Sequence, residues 1–228
     1  MGRSTEILES VQMLKTFIDQ RIEMGEESWV AKGLTEEPEL KEPESLEQFY
    51  NLIKDCQRCG LAQSRTNLVF GEGREDAGVM FIGEAPGRDE DLQGKPFVGR
   101  CGQLLTKIVE SIKMSREDVY IANILKCRPP ENRDPLPDEI QHCEPYLKQQ
   151  IGLINPKIIC ALGRIAAQTL LKTTASLSAL RGKLHSYQGI KLVVTYHPAA
   201  LLRNPHFKRP TWEDMKFLRK EYDGVVIT

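Results

Sequence analysis

The chain reads as an α/β protein. Three layers are expected, with helices on both faces of a central, mainly parallel four-stranded sheet and a helical extension at the N-terminus. Two observations carry this reading. From residue 79 onward, short apolar runs alternate with stretches of helical periodicity, the pattern of strands linked by crossover helices. The first run, Val79–Ile82, also breaks at Gly83 into GEAPG (83–87), where glycine and proline force a turn and bare the backbone. Strand, glycine-rich turn and helix in that order build a ligand pocket at the carboxyl edge of such a sheet.

In chain order, Ile7, Leu8, Val11, Leu14, Ile18 and Ile22 recur at helical spacing, and residues 25–45 turn acidic and carry Pro38 and Pro43. An amphipathic helix over 5–24 and a solvated linker follow, which divides the chain into 1–45 and 46–228. Ser45–Asp55 predicts a helix with Ser45 as N-cap and Leu46, Phe49, Leu52 and Ile53 inward. After the GEAPG turn comes a loop with Asp89, Glu90 and Asp91, one large ring, Phe97, and a helix start near Gly102. Val119–Leu125 is the second strand. It runs into Lys126-Cys127-Arg128-Pro129-Pro130 and a proline-rich loop over 129–137. Asp138–Leu153 reads as helix, Lys157–Leu162 as the third strand, and Gly163–Leu171 as a helix packed by alanines. Leu192–Thr195 is the fourth strand and leads directly into Tyr196-His197-Pro198. Thr211–Tyr222 closes the chain as a helix, with Thr211 and Asp214 spaced as a capping box.

With 228 residues, 40% hydrophobic and 28% charged, the chain has the length for one good core plus an appendage and the composition of a soluble protein. No apolar run is long enough to span a bilayer and residues 1–9 lack a signal-peptide core. A cytoplasmic location without membrane partners is expected. Residues 1–50 hold 5 Lys/Arg against 12 Asp/Glu, and the remainder 26 against 20. An acidic front on a mildly basic body permits a local nucleic-acid surface without demanding one.

Six cysteines in a chain of this kind are not expected to pair as disulfides. Cys56-x2-Cys59, Cys127 and Cys143 each lie in or beside a loop, whereas Cys101 and Cys160 read as small packed residues. Four thiolates with one CxxC pair suit structural zinc or a [4Fe–4S] cluster. Because the two remote ligands are single rather than a second CxxC, the spacing tilts toward the cluster; zinc and unliganded thiols stay open. Either metal would tie the segment before the fold to two loops of the body. No G-x-G-x-x-G fingerprint accompanies the cysteines.

GEAPG at 83–87, GKPFVGR at 94–100, N-x-x-K-C-R-P-P at 123–130 and HPAALLR at 197–203 together resemble the family four uracil-DNA glycosylases, the iron–sulfur branch of their superfamily. The resemblance runs from about Cys56 to Arg219, and the four cysteines match that family's cluster ligands. It implies an uracil-DNA glycosylase-like catalytic domain at 46–228, a [4Fe–4S] cofactor and hydrolytic release of uracil from DNA. Uracil must then be flipped into a closed pocket. By resemblance, Phe97 stacks on the extruded ring, and Asn123 offers its amide C=O to uracil N3–H and its NH₂ to O4. His197 donates to O2, where negative charge grows as the glycosidic bond breaks. Backbone groups of Gly83, Glu84, Ala85 and Gly87 surround the base.

Classical superfamily members carry a water-positioning aspartate inside the first turn, where this chain has Ala85 and Pro86. Glu84 is the remaining carboxylate for placing the water or stabilising an oxocarbenium-like sugar. Glu90 resembles the position that crowds uracil C5 and shuts out the thymine methyl. Leu201 and Leu202 resemble the wedge that fills the gap left by a flipped base, with Arg203, Arg128 and Arg133 placed for phosphates. The extra histidine-bearing loop of a covalent, uracil-crosslinking branch is missing between Gly99 and Gln103, which predicts turnover rather than a trapped product. A monomer is expected. The competing reading is a non-catalytic DNA-binding or replication-associated module, with residues 1–45 as a protein-docking arm; a third is a zinc-stabilised hydrolase of another nucleoside.

Overall fold

In a computed structural model the described residues are 43–226. The helix expected over 5–24 and most of its linker lie outside them. The remainder, from Pro43, is treated by itself.

The sheet has six strands: β1 (Glu72–Gly73), β2 (Val79–Gly83), β3 (Tyr120–Asn123), β4 (Ile158–Leu162), β5 (Leu184–Tyr187) and β6 (Ile190–Thr195). Their order is β1-β3-β2-β4-β6-β5. The inner four are parallel, with Met80 opposite Tyr120, Phe81 opposite Cys160, and Cys160 opposite Val193. These are the four strands the apolar runs predict. The two antiparallel edge strands, paired with β3 and β6, were not expected. β1 is only two residues long, and β5 carries Leu184, His185 and Ser186 on a largely exposed edge. The hairpin joining β5 to β6 turns on Gln188 and Gly189, both at positive φ (49° and 85°), which matches the twist of the flanking strands.

Eight helices are described: α1 (Leu46–Ile53), α2 (Arg88–Gln93), α3 (Arg100–Ser111), α4 (Pro137–Ile154), α5 (Arg164–Leu171), α6 (Leu177–Leu180), α7 (Pro198–Arg203) and α8 (Lys208–Val226). Alternate residues of each inner strand feed opposite faces of the sheet. Met80, Ile82, Tyr120, Ile159 and Val194 pack with residues of α1, α4 and α5. Val79, Phe81, Ile121, Cys160 and Val193 pack with α3 and α8. Burial on both faces is why these strands read as continuous apolar runs rather than alternating ones.

Three local expectations are corrected. Leu52 of α1 is 57% exposed while Leu46, Phe49 and Ile53 face the core, because 52 falls outside the stripe that 46, 49 and 53 define. The span 88–93, expected as loop, is helical, its first turn carrying Asp89, Glu90 and Asp91, acids that suit a helix N-terminus. The capping box at Thr211–Asp214 does not form. The last helix begins at Lys208, and both residues are buried inside it. Asp214 turns toward the sheet, accepting hydrogen bonds from Thr195 Oγ1 at 2.7 Å and Arg181 Nε at 2.8 Å.

Candidate active site

After β2 the chain moves to β3 on one side and then to β4 and β6 on the other. The crevice outside the carboxyl ends of β2 and β4 is therefore the switch point where such sheets bind ligands. A cavity of about 530 Å³ opens there, a size typical of small-molecule sites. Its wall includes Glu84, Glu90, Phe97, Asn123 and His197, together with Ala85 and Gly87 of the first turn.

The strand register delivers most of this. Gly83 and Asn123 are paired residues at the ends of β2 and β3. The ladder continues one step further, with Ile124 N–H donating to Gly83 O and Leu125 N–H to Glu84 O. A Cβ at Gly83 would lie 2.3 Å from Asn123 Oδ1 and 2.6 Å from Phe97 Cζ, so glycine is what lets the amide and the ring approach. Asn123 is 2% exposed, and its Oδ1 has no hydrogen-bond partner. A buried acceptor left bare costs about 1–3 kcal/mol. Asn123 itself stands in the cavity wall.

Phe97 is held by force from several directions. Its φ is +51°, an uncommon conformation for a bulky residue and one that costs about 1–3 kcal/mol. Glu90 Oε1 accepts from Val98 N–H and Gly99 N–H at 2.9 and 3.0 Å, and Oε2 accepts from Gly87 N–H. The Phe97 carbonyl sits where a Cβ of Gly102 would be, at 1.7 Å. Thus Glu90 stands in the cavity wall with both oxygens engaged, locking the ring-bearing loop to the GEAPG turn. The ring centroid of Phe97 is 5.6 Å from that of His197.

His197 follows β6 and caps α7. Its Nδ1 accepts from Ala199 N–H at 3.2 Å, which leaves Nε2 as the N–H-bearing nitrogen of the neutral ring. Burial, reinforced by the positive charge of Arg203, lowers its pKa from 6.5 to about 4. The ring is therefore a neutral donor at physiological pH. Gly163, at φ +91°, packs against the base of the side chain, and a Cβ there would lie 2.9 Å from His197 Cβ. Glu84 is partly buried in the same wall. Burial raises its carboxyl above the usual range, Asp134 adds to that, and Arg164 opposes it. Asp134 and Arg164 pair at 2.7 Å across the cavity rim.

Not every expected residue arrives. Leu201 is 2% exposed and belongs to the core beneath α7, so it cannot enter a base stack; its neighbour Leu202 points outward, 41% exposed. Arg203 lines the cavity and is exposed. Arg133 also lines it, but its terminal nitrogens fork onto Glu139 at 2.5 and 2.9 Å, fastening the proline-rich loop to α4. Arg128 Nε donates to Asn132 Oδ1 at 2.8 Å within that loop. Sequence reasoning missed Gly163, Asp134 and Arg164; only the glycine between β4 and α5 carried a signal. Cys101, read as packing alone, also lines the cavity, its thiol pushed up chiefly by burial and then by Glu90.

A second, smaller cavity is walled by Cys56, Cys59, Cys127 and Cys143. Tyr146 Oη donates to Cys56 Sγ at 3.1 Å, Arg65 Nη1 to Cys127 Sγ at 3.3 Å, and Lys126 N–H to Cys143 Sγ at 3.2 Å. Among the described residues, no three or more His, Cys, Asp or Glu side chains are placed to hold a single metal ion. Lys126 is fully buried beside these sulfurs, and its Nζ donates to the Asn123 carbonyl at 2.9 Å and to Gln150 Oε1 at 2.5 Å. Lys126 thereby joins Cys143 of that wall to the strand end that carries Asn123. No helix of the described residues is long and apolar enough to cross a membrane.

The family model for the uracil DNA glycosylase superfamily matches residues 70–216, and the chain belongs to that superfamily. It is 45% identical over 181 residues to the type-4 uracil-DNA glycosylase of Archaeoglobus fulgidus, covering 76% of this chain and 91% of that protein. Against the type-4 enzymes of Saccharolobus solfataricus and Thermotoga maritima it is 45% and 42% identical, covering 90% and 97% of their lengths. Within the superfamily the chain falls in the type-4 branch.

Proposed function

We propose that the chain is a monofunctional uracil-DNA glycosylase that flips uracil out of DNA and hydrolyses its N-glycosidic bond, leaving an abasic site for base-excision repair. The observation that carries this is the bare Oδ1 of Asn123. It is an unpartnered side-chain acceptor close to the Phe97 ring in the wall of the cavity, and uracil presents a donor at N3 where cytosine presents an acceptor. Phe97 provides the stacking face. Glu90, immobilised by three backbone N–H groups, forms the wall that meets C5 and leaves no room for a methyl.

In the chemical step the N1–C1′ bond breaks and charge gathers on the departing base. His197 Nε2–H, neutral and preorganised, stabilises that charge at O2 together with backbone N–H groups of the first turn. A water adds its oxygen to C1′ as an oxocarbenium-like sugar forms, and its proton is lost to solvent. Glu84 in its ionised form stabilises that sugar or orients the water. Arg164→Gln is expected to move the acid limb of the single-turnover pH–rate profile upward, because it removes the cation that favours the Glu84 carboxylate; Asp134→Asn is expected to move it down. Profiles that coincide with the wild type's would remove Glu84 from the rate equation.

The four cysteines suit a [4Fe–4S] cluster. The donor set is all thiolate, three of the sulfurs receive N–H or O–H donors, and the two remote ligands are single rather than a second CxxC, which favours the cluster over zinc. When bound, the cluster supplies a cross-link between the α1 exit, the end of β3 and α4. Cys127→Ser is expected to yield colourless protein with the melting temperature lowered by roughly 10 °C, the shift that a loss of about 3–5 kcal/mol produces in a domain of this size. Iron analysis, visible absorption and calorimetry check it. DNA meets the protein through Leu202 as wedge and Arg203 at the cavity mouth. The functional reading is tested by single-turnover reaction with oligonucleotides bearing one U, T or C followed by alkali: strand breaks are expected with U alone.

A further inference from the structure

Residues 197–206 leave and rejoin the body through two aromatic residues that touch. Tyr196, just before His197, stacks on Phe207, just after His206, with ring centroids 4.3 Å apart and planes 16° from parallel. On the Tyr196 ring lies the guanidinium of Arg181, 4.1 Å from its centroid. That guanidinium is anchored in turn by the carboxylate of Asp214, which is 3% exposed and also accepts from Thr195 Oγ1. Phe207 is fixed from below, its carbonyl accepting from Thr211 Oγ1 at 2.8 Å. The result is a column, Asp214–Arg181–Tyr196–Phe207, that closes the base of the excursion carrying both His197 and Leu202.

We propose that this column is a positioning device for duplex substrates: it makes the 197–206 excursion rigid enough for Leu202 to displace a paired uracil. The inference rests on the functional reading above. Extruding a base from a duplex loads the inserted side chain with the cost of unstacking, and a loop hinged at one end only would yield instead. His197 has separate restraints of its own, in Gly163 against its Cβ and backbone, Pro198 after it and the Ala199 N–H on Nδ1. Loss of the column should therefore weaken base extrusion more than bond cleavage. Leu201, buried under α7, keeps the helix seated when the stack is removed.

The test compares single-turnover excision of uracil from a duplex and from the same single strand, using the full-length, cluster-containing protein. Phe207→Ala is expected to slow the duplex reaction about 100-fold, the scale of a misplacement of about 1 Å, and the single-strand reaction by about threefold or less. Tyr196→Leu should behave likewise, and Tyr196→Phe, which keeps the ring, should retain the wild-type ratio. Leu202→Ala should lower the same ratio, and combining it with Phe207→Ala should lower it no further, since both act through one body. Equal losses on the two substrates, or losses that multiply in the double variant, would overturn the inference. A wild type active on neither substrate overturns the functional reading itself. Melting temperatures within about 5 °C of wild type identify which variants are folded for the comparison.

Discussion

Replacing Asn123 by alanine is expected to slow single-turnover uracil release about 1,000-fold while leaving DNA affinity within about threefold. The asymmetry follows from what each property depends on. Affinity for DNA comes mostly from phosphates and released counterions, and Asn123, buried at the end of β3, touches no phosphate. Its Oδ1, by contrast, is the one fully buried side-chain acceptor of the pocket wall without a partner among the described residues, and a site built around such a group discriminates strongly when the pairing is lost. On the proposed reading, truncation removes the acceptor for N3–H and widens the space beside Gly83, so uracil would enter without being held. Fluorescence anisotropy and rapid-quench kinetics on one oligonucleotide separate the two effects. A loss of excision below tenfold would reassign Asn123 to a turn.

The position of Asn123 was legible in sequence and its setting was not. A strand over Val119–Leu125 that runs into Lys-Cys-Arg-Pro-Pro marks a strand-to-loop exit near Asn123, but nothing in that run says that Gly83 leaves room for the amide or that Lys126 holds its carbonyl. The inner strands were readable because each is buried on both faces. The edge strands were not, because β1 is two residues long and β5 is exposed; the Gln188-Gly189 turn was the available clue. Adjacent leucines on a six-residue helix give no periodicity from which to choose, so Leu201 and Leu202 could be told apart only by the packing of α7. Thr211 and Asp214 obeyed the local rule for a helix start, and tertiary demand from Thr195 and Arg181 overrode it. Glu90 was read as the side chain that crowds the base, and nothing in the sequence showed that its carboxylate is committed to three backbone N–H groups. These departures cluster where the chain is shaped by long-range partners or by strain, as at Phe97 with its positive φ.

His197→Ala should reduce the excision rate by about 100- to 1,000-fold, the range for removing one preorganised donor from a developing anion. The pH dependence separates this role from proton donation. Because the His197 pKa is lowered to about 4, the ring is neutral across the neutral range, and the wild-type rate should show no limb near the ordinary histidine value of about 6.5. A histidine acting as general acid would instead give a rate that falls as pH rises through its pKa. On the proposed mechanism an acid limb is expected from Glu84, whose carboxyl burial raises above its ordinary value. Stability carries the same signature. Between about pH 6.5 and 4 the unfolded chain binds a proton at this residue that the folded chain does not, so stability falls as pH falls through that window. His197→Gln removes that group, and its melting temperature should drop less than the wild type's between about pH 7.5 and 5. Equal drops, or a rate limb centred near pH 6.5 that vanishes in His197→Ala, would show that the imidazole gains a proton in the folded protein and acts as a cation rather than as a fixed neutral donor.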